Sequence, residues 1–202
     1  MSTESTADYS FITDRLAVGN VASRAVPGFV AVVSVVTVEG RHRGRPWSAE
    51  LTEKAPKVPG GVVWPSEWFA THGRLLEKSR EPDHVPVLVL DIADGESSAG
   101  RPFAYQPPHE DDRDLDFYLD DATAFIAEHL KRGCVLVHCG AGLSRSAAVV
   151  IAYLCRYAGM SYSEALSLMK ARRPGAAPAD CFKLAIERWL SLRELSEKGP
   201  RR

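Results

Sequence analysis

Two kinds of hydrophobic pattern follow one another along the chain. Short apolar runs rich in β-branched residues, typical of buried strands, occupy positions 29–38, 85–92 and 134–137. Positions 115–132 repeat apolar residues every three or four places, and a second apolar run follows Ser146; both indicate helices. Strands that alternate with helices predict an α/β fold built on a central sheet.

Weaker signals extend this pattern at both ends. Residues 11–20 read as an opening strand that ends in a Gly-Asn turn, and residues 65–79 read as a helix. Ser161 and Glu164 form a capping box before another helix, and a Pro-containing turn precedes a last helix led by Phe182. We therefore expect one domain over residues 11–196 with a long insertion at about 39–84, a flexible start at 1–10 and a flexible tail at 197–202.

Composition narrows the class of protein. The chain has 202 residues, of which 45% are hydrophobic and 25% charged, which suits one globular domain. A net charge of −1 gives no indication of a nucleic-acid or membrane partner, and no apolar stretch is long enough to cross a bilayer. The polar N-terminus does not read as a signal peptide, and four cysteines without a framework spacing favour a reducing compartment. We expect the cytoplasm, with nuclear entry open; the oligomeric state stays undetermined.

The stretch from Cys134 to Ser146 carries the chemistry. A strand ends at His138, a glycine-bearing turn follows, and a helix begins near Arg145. Successive backbone amides in such a turn, together with the positive end of the helix, can form a nest for an anion. Arg145 adds a planar guanidinium that can bind two oxygens of a phosphate. The expected phosphate-binding positions are Gly140, Ala141, Gly142, Leu143, Ser144 and Arg145.

Cys139 lies at the floor of this nest in the sequence pattern. A free thiol has a pKa of about 8.5, and cationic settings at a helix start lower it into a range of about 3.5 to 7.5. Cys139 is therefore expected to be a thiolate nucleophile, with Ser146 donating a hydrogen bond to the sulfur. We expect His138 to hold the loop in place and not to act as a base.

His138, Cys139, Gly142, Arg145 and Ser146 fit the pattern His-Cys-x-x-Gly-x-x-Arg-Ser. In this the chain resembles the cysteine-dependent protein phosphatases, and within them the dual-specificity phosphatases. The resemblance implies a mixed, mostly parallel sheet flanked by helices on both faces. It also implies hydrolysis of phosphotyrosine and of phosphoserine or phosphothreonine in protein substrates, through a cysteinyl-phosphate and without metal or cofactor.

The resemblance further implies a general acid, an aspartate on the loop after the strand at 85–92. Asp94 is the residue at that position. Asp111 and Asp112 lie nearer the usual spacing from the cysteine, although they also adjoin a helix start where acidic residues are common. Both assignments stay open from the sequence.

Other interpretations also stay open. The chain could bind phosphoproteins with little turnover, hydrolyse a phosphate ester that is not a protein, or use Cys139 in thiol redox or sulfur-transfer chemistry. Separately, Cys134 or Cys155 could regulate the site by trapping Cys139 as a reversible disulfide. The absence of a Cys-x-x-Cys pair argues against the redox function. The arginines that open the 39–84 insertion could recruit an acidic substrate group or could simply be solvated.

Overall fold

The computed structural model of the chain describes residues 6–36, 62–63, 85–92 and 115–197. In this part of the chain, six strands form one sheet in the order β1-β2-β6-β3-β5-β4. The strands are β1 (Tyr9–Phe11), β2 (Leu16–Gly19), β3 (Phe29–Val36), β4 (Val62–Val63), β5 (Val87–Asp91) and β6 (Cys134–His138).

The sheet is mixed and mostly parallel, as the sequence predicts. Only β1 runs antiparallel to its neighbour β2, and every other described pair is parallel. The last strand in sequence, β6, lies between β2 and β3, where Gly19 and Ser34 both stand opposite His138. The carboxyl ends of these three strands therefore meet at one edge, the position where α/β sheets commonly bind ligands.

Four helices follow: α1 (Leu115–Leu130), α2 (Arg145–Tyr157), α3 (Tyr162–Arg172) and α4 (Asp180–Glu197). Helices α1 and α2 pack on the sheet and on each other, while α3 and α4 pack on α2. Alternate strand residues face these helices and belong to one buried core, among them Val18, Val33, Leu90, Val135 and Val137. Helix α2 is the centre of this core, since its residues 146–152 are all buried.

The opposite face of the sheet is also buried. Ala17, Val32, Leu136 and Val89 alternate with the helix-facing residues, and each is at most 5% exposed. The predicted helix at 65–79 and most of the predicted insertion at 39–84 lie outside the described residues.

One expectation about the N-terminal region was wrong. The opening segment is not one strand: Ile12 and Thr13 turn the chain, and their amides donate to the carbonyl of Leu16, so β1 and β2 form a hairpin. Residues 6–10, part of the expected flexible start, contact later parts of the chain. The carbonyl of Thr6 accepts from the Asn20 amide side chain at 2.8 Å, and Asp8 pairs with Arg173 at 2.7 Å.

Several local signals gave the observed boundaries. The capping box is confirmed, with the Glu164 amide donating to Ser161 Oγ and the Ser161 amide donating to Glu164 Oε2. Helix α2 ends at Tyr157, two residues before Gly159, whose φ is +66°. No helix in the described part of the chain has the length and apolar character needed to span a bilayer.

Candidate active site

Cys139 lies directly after β6, at the sheet edge where the parallel strands end. Its side chain is buried, and its amide donates to the carbonyl of Gly19 at the end of β2. Two donors point at the sulfur: the amide of Gly142 at 3.2 Å and the hydroxyl of Ser146 at 3.3 Å. The sequence prediction that Ser146 contacts the sulfur agrees with this position.

The surroundings of the thiol favour its ionised form. Burial by itself would raise the pKa of Cys139, and it is the largest single influence. The hydroxyl and amide of Ser146, the amide of Gly142 and the charge of Arg145 act together in the other direction. The net result is a pKa for Cys139 below its ordinary value.

The carbonyl groups of residues 140–143, in the loop after Cys139, all accept hydrogen bonds from other parts of the chain. Those of Gly140, Ala141, Gly142 and Leu143 accept hydrogen bonds, in that order, from Val21 N (3.1 Å), Arg173 Nη2 (3.3 Å), Arg173 Nε (2.7 Å) and Ala177 N (2.9 Å). A trans peptide unit points its N–H opposite to its C=O, and none of the described peptide bonds is cis. The amides of residues 141–144 are therefore directed away from these partners.

The Gly142 amide points toward the Cys139 sulfur, to which it donates a hydrogen bond. Gly142 has a φ of +75°, and a Cβ built there would lie 2.5 Å from the carbonyl carbon and oxygen of Gly19. Only glycine fits this close approach between the loop and the end of β2. The result is a backbone concavity with the sulfur at its floor, which can accept an oxyanion.

Arg145 is the first residue of α2 and is half-buried. Its Nη1 donates to the carbonyl of Ile92 at 3.2 Å, and its Nη2 lies 3.5 Å from where a Cβ on Gly140 would stand. The guanidinium thus lies beside the loop and joins it to the carboxyl end of β5. This places the charge next to the concavity that holds Cys139.

His138 occupies the last position of β6 and is 1% exposed. Burial lowers its pKa to about 4, against a smaller opposing effect of a hydrogen bond with the Cys139 backbone, so the imidazole is neutral near pH 7. That His138 holds the loop in place stays a prediction.

The side chains of Leu143 and Ser144 contact the segment between α3 and α4. The hydroxyl of Ser144 accepts from the amide of Ala179 at 3.3 Å, and a Cβ on Gly175 would lie 3.3 Å from Leu143. Gly140 and Ala141 are exposed at the mouth of the site. The segment between α3 and α4 therefore packs against the loop.

The contacts of Arg173 could not be predicted from the sequence. The run Arg172-Arg173-Pro174 indicates structural or surface residues, and the family resemblance also allows a role near the site; in the structure Arg172 is exposed. Arg173 is 5% exposed and contacts two loop carbonyls as well as Asp8. A local sequence pattern does not predict the contact between Arg173 and Asp8, which lie 165 positions apart.

A comparison of the sequence with family models identifies the protein family. Residues 89–191, about half of the chain, match the model described as "Dual specificity phosphatase, catalytic domain". The chain belongs to this family. Cys139, Arg145 and the loop between them all fall within the matched residues.

Curated relatives agree with the assignment to the dual specificity phosphatases. Dual specificity protein phosphatase 1 of Arabidopsis thaliana is 43% identical over 70 residues, which are 34% of this chain and 35% of that protein. Dual specificity protein phosphatase 1B of the same plant is 38% identical over 93 residues, 39% of this chain and 56% of that protein. The match thus spans about a third to a half of these relatives.

The fold is also that of solved dual specificity phosphatases. The crystal structure of human DUSP28 superposes with a TM-score of 0.60 at 20% identity, covering 96% of this chain and all of that one. At this identity the likeness shows the shared fold.

The three candidates for the general acid, Asp94, Asp111 and Asp112, lie outside the described residues. Among the residues that are described, no group of three or more His, Cys, Asp or Glu side chains could hold a metal ion.

Proposed function

We propose that this dual specificity phosphatase domain hydrolyses phosphotyrosine and phosphoserine or phosphothreonine in protein substrates. The observation that carries the proposal is the Cys139 sulfur, which lies at the floor of a backbone concavity with donors at 3.2 and 3.3 Å and a lowered pKa. A buried thiolate next to an anion-binding loop has the parts needed for nucleophilic attack on a phosphate ester.

In the proposed first step, the substrate phosphate enters the loop and is bound by the inward amides and by Arg145. The Cys139 thiolate attacks phosphorus as the bond to the leaving oxygen breaks, which leaves a phosphate group on sulfur. Donors directed at the equatorial oxygens stabilise the transition state, the main source of rate in phosphoryl transfer.

In the proposed second step, water attacks phosphorus, the bond to sulfur breaks, and inorganic phosphate leaves. The thiolate re-forms, and the Ser146 hydroxyl stabilises the departing sulfur by donating to it. The low pKa of Cys139 helps here as well, because a more stable thiolate is a better leaving group.

We propose Asp94 as the general acid that protonates the leaving oxygen and then activates the water. Asp94 follows Ile92 by two residues, and the carbonyl of Ile92 accepts from Arg145. This contact ties the phosphate-binding arginine to the segment that carries Asp94. Asp111 and Asp112 remain the alternatives.

The proposal keeps the other expectations about partners and place. The substrate is a phosphorylated protein, and neither nucleic acid nor a membrane is a proposed partner. Cys134, Cys139 and Cys155 are free thiols, which supports a reducing compartment such as the cytoplasm.

The domain limits at 11–196 become 6–197 in the proposal, because residues 6–10 contact the rest of the domain.

The test is hydrolysis of a phosphotyrosine peptide and a phosphothreonine peptide in the presence of a metal chelator. The variants are Cys139→Ser, Asp94→Asn, Asp111→Asn and Asp112→Asn. We expect turnover by the wild type, none by Cys139→Ser, and a fall of roughly 100-fold or more for Asp94→Asn alone.

An aryl phosphate with an activated leaving group is the matched control, because it needs little help from an acid. Asp94→Asn should retain most activity on that ester. A wild-type protein that binds phosphopeptide without hydrolysing either substrate would overturn the proposed activity and favour a binding module.

A further inference from the structure

The loop after Cys139 is supported by a side chain outside the nine-residue pattern His-Cys-x-x-Gly-x-x-Arg-Ser. Arg173 follows α3 directly and is 5% exposed. Its Nε donates to the carbonyl of Gly142 at 2.7 Å, and its Nη2 donates to the carbonyl of Ala141 at 3.3 Å. One guanidinium thus holds two successive carbonyls of the loop.

Each of these two carbonyls shares a peptide unit with an amide of the loop. The Ala141 carbonyl shares its unit with the Gly142 amide, which donates to the Cys139 sulfur. The Gly142 carbonyl shares its unit with the Leu143 amide. Since each peptide unit is planar, holding the carbonyl fixes the direction of the amide on its other side.

Arg173 is itself fixed by the N-terminal segment. Asp8 accepts from Nη2 at 2.7 Å and from Nη1 at 3.2 Å, and the hydroxyl of Ser10 lies 3.3 Å from Nη1. This is a two-pronged contact between an arginine and a carboxylate, the geometry that orients a guanidinium best. Arg173 also holds the pKa of Asp8 below its usual value, so the pair stays ionised at neutral pH.

The segment that carries Asp8 is in turn bound to the loop region. Asn20 accepts from the amide of Asp8 at 3.2 Å, and the buried hydroxyl of Ser23 donates to the carbonyl of Asp8 at 3.0 Å. The next residue after Asn20, Val21, donates its amide to the carbonyl of Gly140. Asp8 is therefore held at a set place relative to the phosphate-binding loop.

We propose that Asp8 and Arg173 form a positioning pair for the reaction, in which Asp8 orients Arg173 and Arg173 aims the Gly142 and Leu143 amides into the phosphate site. The pair touches neither sulfur nor substrate and acts through the loop. The proposal rests on the proposed phosphatase function, since it assigns these residues to the same site.

The test uses Asp8→Asn, Arg173→Lys and Arg173→Met, with two matched controls, Asp14→Asn and Arg172→Met, both at exposed positions. Two measurements need no turnover. One is the pH at which alkylation of Cys139 by iodoacetamide reaches half its maximal rate, followed on the Cys139 peptide by mass spectrometry. The other is the dissociation constant of tungstate, an oxyanion that stands in for the bound phosphate.

We expect the alkylation midpoint to move to higher pH in Asp8→Asn and in Arg173→Met, and tungstate binding to weaken by roughly ten-fold, the effect of losing one hydrogen bond to a charged group. The Asp8 result is diagnostic. Removing a negative charge alone would strengthen anion binding, whereas loosening Arg173 weakens it.

Arg173→Lys separates geometry from charge. A lysine keeps the positive charge but lacks the planar fork that reaches two carbonyls and a carboxylate at once, so we expect it to remain impaired. Wild-type behaviour in Arg173→Lys, or a lower midpoint and tighter tungstate binding in Asp8→Asn, would overturn the positioning claim. If Arg173→Met does not fold, Asp8→Asn and Arg173→Lys still decide.

Turnover of phosphopeptide is measured in the same set. Shifted midpoints in Asp8→Asn and Arg173→Lys, combined with an inactive wild type, would refute the proposed function while leaving the positioning pair intact. An active wild type with unshifted midpoints in the variants would refute the positioning pair while leaving the proposed function intact. Both controls should match the wild type in all three measurements.

Discussion

At the scale of single residues, two buried thiols differ in the direction of their pKa shift. Burial raises the pKa of Cys155 to about 11, and the charge of Glu164 acts in the same direction. Cys139 is similarly buried, yet its pKa falls because Ser146, Gly142 and Arg145 act on the sulfur. The donors around the sulfur, and not burial alone, therefore make Cys139 the better candidate for a nucleophile.

Ser146→Ala tests this directly. The serine is fully buried, and its hydroxyl lies 3.3 Å from the sulfur. We expect the pKa of Cys139 to rise and kcat/KM at pH 6 to fall about ten-fold, the effect of losing one hydrogen bond to a charged group. The pH dependence of Cys139 alkylation measures the first effect and peptide hydrolysis the second. Ser163→Ala, on the exposed start of α3, is the control; an unchanged alkylation profile in Ser146→Ala would refute the assigned role.

The lowered pKa of His138 predicts how the free energy of unfolding depends on pH. Its folded-state pKa of about 4 lies below the ordinary 6.5, so the unfolded chain binds the proton more readily. Lowering the pH from 7 to 5 should therefore reduce the free energy of unfolding by about 2 kcal/mol through this residue alone. Urea denaturation of the wild type and of His138→Gln at both pH values measures it.

The variant should lose most of that pH dependence, whatever its stability at pH 7. His129→Gln, in the last turn of α1, serves as the matched control and should keep the wild-type slope. The same slope in His138→Gln and the wild type would show that burial of this imidazole is not what makes the domain sensitive to acid.

At the scale of helices and strands, one carboxylate links three helices. Asp120 of α1 accepts from Arg156 of α2 at 3.0 Å and from Arg193 of α4 at 2.5 Å. Both guanidinium groups also lie over the ring of Trp189, at 5.6 and 5.7 Å. Arg156 lies in the last turn of α2, whereas the loop after Cys139 leads into its first turn.

We expect Asp120→Asn to lower the free energy of unfolding by about 1 kcal/mol or less, because Asp120 is 59% exposed and exposed ion pairs contribute little. Catalysis should not change. Thermal unfolding gives the first value and peptide hydrolysis the second. Glu128→Gln, whose pairs with Lys131 and Arg132 stay near the end of α1, should have a smaller effect. A loss of several kcal/mol would mean that the arginines depend on Asp120 more than their exposure indicates.

Local patterns predicted the elements well where each element carries its own signal. The strand before Cys139, the capping box at Ser161 and the glycine after α2 depend on neighbouring residues, and the structure has all three. The hairpin at β1 and β2 was missed because residues 11–20 look like one apolar run, whereas the turn arises from bonds to the Leu16 carbonyl.

At the scale of the whole molecule, the contacts that sequence reasoning missed are the ones that join distant parts of the chain. The proposed nucleophile and its loop could be predicted from five residues in a row of nine. The Asp8–Arg173 pair and the contact of Arg145 with Ile92 could not, because they exist only once the sheet brings both chain segments together. They surround the site, and the short motif does not encode them.

The most direct test of the account is whether a phosphate group becomes attached to Cys139. Wild-type protein and Cys139→Ser would be mixed with phosphotyrosine peptide, quenched with denaturant within the first turnovers and analysed by peptide mass spectrometry. We predict one added phosphate on the peptide that contains Cys139 in the wild type, and none in the variant. Turnover with no phosphate on Cys139, or with phosphate on another side chain, would contradict the central claim that this thiolate is the nucleophile.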